Sequence, residues 1–155
     1  MFETMRRKER EISQQEIEEI LEEAEYGILA TVNENKTPYA IPLNFVYMDK
    51  KIYFHCAKEV GHKVKNMQSE KQVCFTVVGK TQVLESQFST KYESAVIFGV
   101  ARETKEKKEA ALKKLLEKYC LPYMQEGLTY MERMAEKTAV YELEIEHMSG
   151  KARRK

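Results

Sequence analysis

The chain is 155 residues long, with 43% hydrophobic residues, 33% charged residues and a formal net charge of +1. This size and composition predict one compact domain and exclude a disordered or low-complexity chain. No apolar run approaches the ~20 residues that span a bilayer, and the start, Met-Phe-Glu-Thr-Met-Arg-Arg-Lys-Glu-Arg, has no apolar signal segment. The sequence therefore predicts a single-domain cytoplasmic protein with no membrane partner.

Basic residues gather at the two ends of the chain. Residues 1–11 read as a basic N-terminal arm and residues 149–155 as a basic C-terminal tail, which we expect to be solvated. The alternative is that Arg6, Arg7 or Lys151 binds an anionic ligand, and the sequence leaves this open. A nucleic-acid-binding domain would carry a basic face across its body as well, so nucleic acid is not an expected partner.

The first predicted element is a helix with a clear start. Ser13 and Glu16 have the spacing of a capping box, in which each side chain satisfies a free backbone N–H, and the helix should end before Gly27. An alternating pattern follows and predicts strands over residues 26–32, 37–48 and 51–56. Pro38 and Pro42 fall inside the second strand. Because proline cannot donate to a ladder, that strand must have a free edge, a bulge or a ligand beside it.

The second half of the chain mixes strands and helices. A short helix is predicted over residues 60–69, and Thr104 should cap a later helix that Pro122 stops. Alternation predicts strands over residues 72–78, 94–104 and 137–147, with a looser strand-and-turn stretch at 80–91 and a Met- and Tyr-rich helix at 127–135. Strands joined mostly by turns favour an antiparallel barrel with added helices over a parallel α/β sheet.

One segment runs from a strand end into a helix start and carries candidate binding residues. Ala57 and Gly61 are small enough to let a ligand approach the backbone. The free N–H groups of the helix start favour an anion, and His62 and Lys63 add positive charge there. These features indicate a phosphate pocket; the alternative is an ordinary strand-to-helix turn with a solvated lysine. The three cysteines lack metal-ligand spacing, so no metal site is predicted.

A second candidate segment surrounds Pro42. If this proline interrupts the ladder, the neighbouring backbone groups are free to bond a flat polar heterocycle, and Asn44 would offer that ring both a donor and an acceptor. The alternative is that Asn44 is only the outward residue of a strand.

Three short motifs, taken in order, resemble a known family. Tyr-Ala-Ile-Pro-Leu-Asn-Phe at 39–45, Ile-Tyr-Phe-His-Cys-Ala at 52–57 and Gly-His-Lys at 61–63 are similar to those of the flavin-binding split-barrel proteins related to pyridoxamine 5′-phosphate oxidase. The branch that the sequence resembles most is that of the 5-nitroimidazole resistance proteins. The resemblance extends over essentially the whole chain.

This resemblance implies a mainly β fold with helices, a six-stranded antiparallel split barrel, and a homodimer that holds FMN in clefts at its interface. By the resemblance, Lys63 would hold the FMN phosphate with His62 and the helix start at Gly61, and His55 would lie near the flavin in the reactive pocket. The remaining residues of the implied FMN site are Ile41, Pro42, Leu43, Asn44 and Ala57. The C-terminal arginine and histidine with which pyridoxamine phosphate oxidases hold their substrate have no match here, so vitamin B6 oxidation is not expected.

The predicted function is an FMN-dependent oxidoreductase that reduces small molecules, with nitroaromatics such as 5-nitroimidazoles as candidate substrates. His55 would be the catalytic residue and donate a proton, since an imidazole titrates near neutral pH. Two alternatives stay open: a non-catalytic flavin carrier or sensor, and a haem-binding split barrel in which His55 or His62 ligates iron.

Overall fold

The computed structural model describes residues 2–155, which form one antiparallel sheet and four α-helices. In chain order the elements are α1 (Gln14–Glu23), β1 (Gly27–Val32), β2 (Pro38–Leu43), β3 (Val46–Met48), β4 (Lys51–Ala57), α2 (His62–Ser69), β5 (Gln72–Leu84), β6 (Ser89–Glu103), α3 (Lys108–Tyr119), α4 (Met124–Met134) and β7 (Thr138–Arg153). The sheet order is β2-β1-β5-β6-β7-β4-β3, so the sheet has seven strands rather than the six expected. The architecture is an α+β split barrel. Among residues 2–155, no helix is long and apolar enough to cross a membrane.

Helix α1 starts as its sequence predicts. The Ser13 hydroxyl oxygen accepts the Glu16 N–H at 3.2 Å, and the Glu16 carboxylate accepts the Ser13 N–H at 2.8 Å. This reciprocal pair satisfies two N–H groups that have no partner inside the helix. The helix then buries Ile17, Ile20 and Leu21 against the inner face of the sheet, where they join the main core.

The predicted second strand over residues 37–48 is wrong in one respect, because the chain breaks it into β2 and β3. Strand β2 pairs with β1 at one edge of the sheet, and β3 pairs with β4 at the opposite edge. Asn44 and Phe45 form the crossing between the two edges. Pro42 lies opposite Ile28 on the edge strand β2, which confirms the free edge expected from the proline.

The crossing is held by the end of α3. Phe45 is fully buried and packs edge-on against Phe75, with 5.0 Å between ring centroids. The Tyr119 hydroxyl accepts the Phe45 N–H at 3.2 Å and lies 2.7 Å from the Glu25 carbonyl oxygen, to which it donates. Lys118 donates to the Phe45 carbonyl at 3.1 Å, with its ammonium 4.0 Å from the centre of the Phe45 ring. Burial lowers the pKa of Lys118 to about 8.

The C-terminal prediction also needs correction. Strand β7 extends to Arg153 and pairs with β6 along its length, so residues 149–153 are sheet rather than a solvated tail. Arg154 lies next to the sheet and pairs with Glu16 at 2.7 Å and with Glu93 at 3.2 Å. The N-terminal arm is joined to the same region through a bridge between Glu11 and Lys151.

Helix boundaries in the second half of the chain differ from the predicted ones. Thr104 is not the N-cap of α3, which begins at Lys108, although the Thr104 hydroxyl accepts the Lys107 N–H at 3.2 Å. The stretch at 80–91 is ordered, because β5 and β6 run through most of it and meet at a short turn around Glu85–Gln87.

Replacing Tyr119 with Phe tests the crossing. The change removes the hydroxyl that accepts from Phe45 and donates to Glu25, so we expect a loss of about 1–3 kcal/mol in the free energy of unfolding. Urea unfolding measures the loss. The matched control is Tyr123→Phe, because Tyr123 is 67% exposed and should tolerate the change with little effect. Equal stability of the two variants would contradict the role given to Tyr119.

Candidate functional site

The outer face of β4 is buried at Tyr53 and exposed from His55 onward. Tyr53 on this face is fully buried beneath α3, in a cluster that includes Ala111 and Leu115. His55, two residues further and therefore on the same face, is exposed, as is Ala57 at the strand end. The close packing of α3 on the strand thus ends between Tyr53 and His55, and the imidazole remains accessible to solvent.

His55 opens onto a cavity of about 210 Å³ between the sheet and the helical pair α3 and α4. Asn44, from the crossing between β2 and β3, lines the same cavity. The cavity therefore brings together one residue from each of the two candidate segments, Asn44 from the segment around Pro42 and His55 from the strand end before α2. Apolar side chains from the two helices form the rest of its wall, including Leu112, Leu116, Met131 and Met134. The sequence did not indicate these wall residues, since a Leu or Met stripe on a helix reads as ordinary core.

The charge state of His55 follows from its surroundings. Although the residue is exposed, nearby protein removes part of the hydration of its ring and lowers the pKa, and the positive charge of Lys63 lowers it further. Both effects favour the neutral imidazole, which carries one N–H donor and one acceptor nitrogen. Lys63 is half-buried in the first turn of α2 and lies close enough to influence His55.

His62 points away from His55. Its Nε2 atom lies 2.6 Å from the Asn33 side-chain oxygen, and its ring stacks on Tyr39 with 3.8 Å between centroids. The same Asn33 oxygen accepts from the Asn66 amide at 2.9 Å, so His62 Nε2 must carry the proton. His55 and His62, which flank a short turn in the sequence, therefore contact different residues. Asn33 and Asn66 lie far from the motif in sequence, and the sequence analysis missed them.

The start of α2 is open. Gly61 has a φ of +109°, which L residues rarely adopt, and a Cβ added there would meet nothing within 4 Å. Gly61 and His62 line a polar cavity of about 800 Å³ together with Asn33 and Asn66. The first N–H groups of the helix have no partner inside it. The helix start named in the predicted phosphate pocket is therefore accessible; Glu34, Glu59 and Lys65 also line this cavity, whereas Lys63, in the same turn, does not.

The residues beside Pro42 do not share one surface. Pro42 is exposed on the outer face of β2, whereas Ile41 and Leu43 are half-buried on the other face. Asn44 donates to the Glu25 carbonyl at 3.0 Å, which leaves its side-chain oxygen and second N–H for another partner. Within one protomer, Asn44 and His55 line the small apolar cavity, and Gly61 and His62 line the polar cavity at α2. The other five predicted residues line neither cavity: Ile41, Pro42, Leu43, Ala57 and Lys63.

Comparison with known proteins identifies the family. Residues 13–152 match the pyridoxamine 5′-phosphate oxidase family, and the chain belongs to it. No curated protein matches the sequence.

Three solved structures show the same fold. A conserved hypothetical protein from Mycobacterium tuberculosis is 18% identical, with a TM-score of 0.81 over 96% of this chain and 90% of that chain. A candidate 5-nitroimidazole antibiotic resistance protein from Bacteroides thetaiotaomicron is 24% identical, with a TM-score of 0.72 over 91% and 85%. An FAD- and haem-binding protein from Mycobacterium smegmatis is 17% identical, with a TM-score of 0.77 over 92% and 72%.

The titration of His55 tests the electrostatics of the site. We expect its pKa, followed by NMR of the ring protons, to lie below the ordinary value of about 6.5. In Lys63→Gln the pKa should rise, because one of the two causes of the lowered pKa is removed. It should stay below the ordinary value, because the ring still lacks part of its hydration. Lys65→Gln, on the same helix, is the control and should leave the titration of His55 unchanged. A Lys63→Gln titration identical to wild type would show that the two groups do not interact.

Proposed function

We propose that the protein binds FMN and uses it to reduce small nitroaromatic molecules. The observation that carries the proposal is the meeting of Asn44 and His55 at one open cavity, with the charge of Lys63 close to His55, in a chain of this family. The bacterial protein of similar fold that is assigned to 5-nitroimidazole resistance supports the choice of substrate class.

The residues present fit a flavin mononucleotide. A phosphate needs N–H donors and a cation, which the open start of α2 and Lys63 supply. The flat polar ring needs hydrogen-bonding groups beside an uncovered surface, which the side-chain oxygen of Asn44 and the exposed strand ends at Pro42 and Ala57 would supply. The flavin would supply electron transfer, and the protein would supply its position and the surrounding electrostatics.

His55 would act on the substrate rather than hold the cofactor. In its neutral form one ring nitrogen donates to an acceptor oxygen of the substrate and orients it. The same nitrogen would pass its proton to the reduced product while the other ring nitrogen takes a proton from solvent, which reaches the exposed residue, so the imidazole returns to its neutral form. Lys63 keeps the imidazole neutral between turnovers through the lowering of its pKa.

A homodimer would complete the site. The outer face of β2, β1, β5, β6 and β7 carries cross-strand rows without a lysine, arginine, aspartate or glutamate side chain. The two central rows are Pro42, Ile28, Thr76, Val96, Ser149 and Ala40, Ala30, Cys74, Phe98, His147. Neither row contains a fully buried residue. Phe2 covers part of the second row, because its ring stacks on His147 at 4.7 Å and lies 5.2 Å from the ring of Phe98. A largely apolar face of this width is typical of an interface with a second copy, and Pro42 lies at its margin.

Binding of FMN tests the proposal. Titration of the protein with FMN, followed by the change in flavin fluorescence, should give saturable binding. Lys63→Ala should weaken it by about 1.5–3 kcal/mol, because a charge-assisted contact to the phosphate is lost. Lys113→Ala is the control, since Lys113 is an exposed lysine of α3 away from the site. Equal FMN affinity in the two variants would remove Lys63 from the phosphate site.

Turnover separates an enzyme from a passive flavin carrier. With FMN bound and a reduced nicotinamide as electron donor, the wild-type protein should reduce a nitroaromatic compound. His55→Gln should keep FMN and lose most of this rate, since glutamine cannot replace the imidazole as a proton donor. A wild-type protein that binds FMN without turnover would favour the carrier, and haem bound in place of flavin would favour the haem-binding alternative.

The dimer has its own test. Val96 lies in the middle of the outer face, between Thr76 and Ser149, so Val96→Asp should place two carboxylates in the interface and produce monomers. Val83→Asp is the control, because Val83 is 69% exposed on the far end of β5. Sedimentation velocity measures the result. A wild-type monomer, or a Val96→Asp dimer, would contradict the interface.

A further inference from the structure

The cavity between the sheet and helices α3 and α4 has an unusual lining for this protein. One third of the chain is charged, yet no Asp, Glu, Lys or Arg lines this cavity. Its polar side chains are His55, Asn44, Cys120 and three residues with hydroxyls, Tyr119, Tyr130 and Thr138. Tyr119 donates its hydroxyl to the Glu25 carbonyl, and Thr138 donates to the Met134 carbonyl at 2.9 Å, whereas Tyr130 is exposed. The lining is thus mainly apolar, and among its side chains His55 and Asn44 alone carry nitrogen donors.

Its volume limits what can enter. An apolar cavity of about 150 Å³ holds benzene, and sites for drug-sized ligands start near 300 Å³. A cavity of about 210 Å³ therefore suits one substituted ring. The three fused rings of a flavin and the macrocycle of haem are both too large for it, so within one protomer the cavity encloses neither cofactor.

The polar end selects the substituent. Asn44 has one amide N–H engaged with the Glu25 carbonyl, and its second N–H is free to donate. The His55 ring is exposed and forms no hydrogen bond within residues 2–155, so its N–H is also free to donate. Two neutral donors at one end of an apolar cavity match an uncharged acceptor group, such as the two oxygens of a nitro group.

Helix α4 makes the far wall adjustable. None of its residues is fully buried, so it packs less tightly than α3, which buries Ala111 and Leu115. The side chains it contributes include Met131 and Met134, and methionine adapts its shape to a ligand at low cost. Gly127 lines the cavity from the same helix, and a Cβ there would lie 2.8 Å from the Leu116 side chain.

We propose that this cavity is the substrate pocket and that it selects uncharged molecules with a single aromatic ring and a hydrogen-bond acceptor group. The ring lies between Leu116 and Met131, and the acceptor faces Asn44 and His55. The assignment of the bound molecule as a substrate rests on the proposed function. The selection of ring size and charge rests on the cavity alone.

Equilibrium binding of two probes tests the selection. The probes are 4-nitrobenzyl alcohol, which has one ring, and 1-nitronaphthalene, which has two. Ligand-observed NMR titrations are carried out on the protein with and without FMN. In both states the one-ring probe should bind at least tenfold more tightly than the two-ring probe. Equal binding of the two probes would overturn the limit on ring size.

Two variants change the cavity in opposite directions. Gly127→Leu fills it and should weaken binding of 4-nitrobenzyl alcohol at least tenfold. Met131→Ala enlarges it and should strengthen binding of 1-nitronaphthalene at least tenfold. The control is Met124→Ala, a half-buried methionine of the same helix that does not line the cavity. If Gly127→Leu fails to fold, the test rests on Met131→Ala. A Met131→Ala protein that binds both probes as the wild type does would overturn the proposal.

The outcomes separate the pocket from the cofactor. A protein that binds the one-ring probe with the expected variant effects and never binds FMN would support the pocket and overturn the proposed function. A protein that binds FMN and not the one-ring probe would support the cofactor and overturn the pocket. Binding of neither would overturn both.

Discussion

The crossing of the chain at Asn44 and Phe45 is the constraint on which the site depends. The sheet has its two edges at β2 and β3, and two residues carry the chain from one edge to the other. Phe45 fixes the crossing by complete burial, and the hydroxyl of Tyr119 satisfies its backbone N–H. The burial of Tyr119 raises its pKa, so the hydroxyl stays protonated and can also donate. A fixed crossing holds Asn44 at the mouth of the cavity.

The same helix that secures the crossing also builds the cavity. Tyr119 and Lys118 at the end of α3 bind the crossing, while Leu112 and Leu116 earlier in α3 form the cavity wall. The stability of the crossing and the shape of the cavity therefore depend on one helix. Helix α4 is the looser partner, and its half-buried methionines face the cavity without being locked into the core. The arrangement gives a rigid polar end and an adaptable apolar end.

The sequence predicts what is local and misses what depends on distant partners. The capping box of α1 and the free edge at Pro42 each follow from a few neighbouring residues, and both are confirmed. The break of the second strand is not local, since alternation continues from β2 into β3 while the pairing partner changes from β1 to β4. The sequence also did not predict the orientation of the His62 side chain, because Asn33, its hydrogen-bond partner, belongs to a different turn.

The visible absorption spectrum of the purified protein, after addition of FMN and removal of the excess by gel filtration, tests the central claim most directly. The account predicts that the protein elutes with a flavin spectrum, because the open start of α2, Lys63 and Asn44 together hold the phosphate and the ring. A parallel sample with haem should elute without it. Elution without flavin, or retention of haem instead, would contradict the account, although the split-barrel fold and the membership of the family would stand.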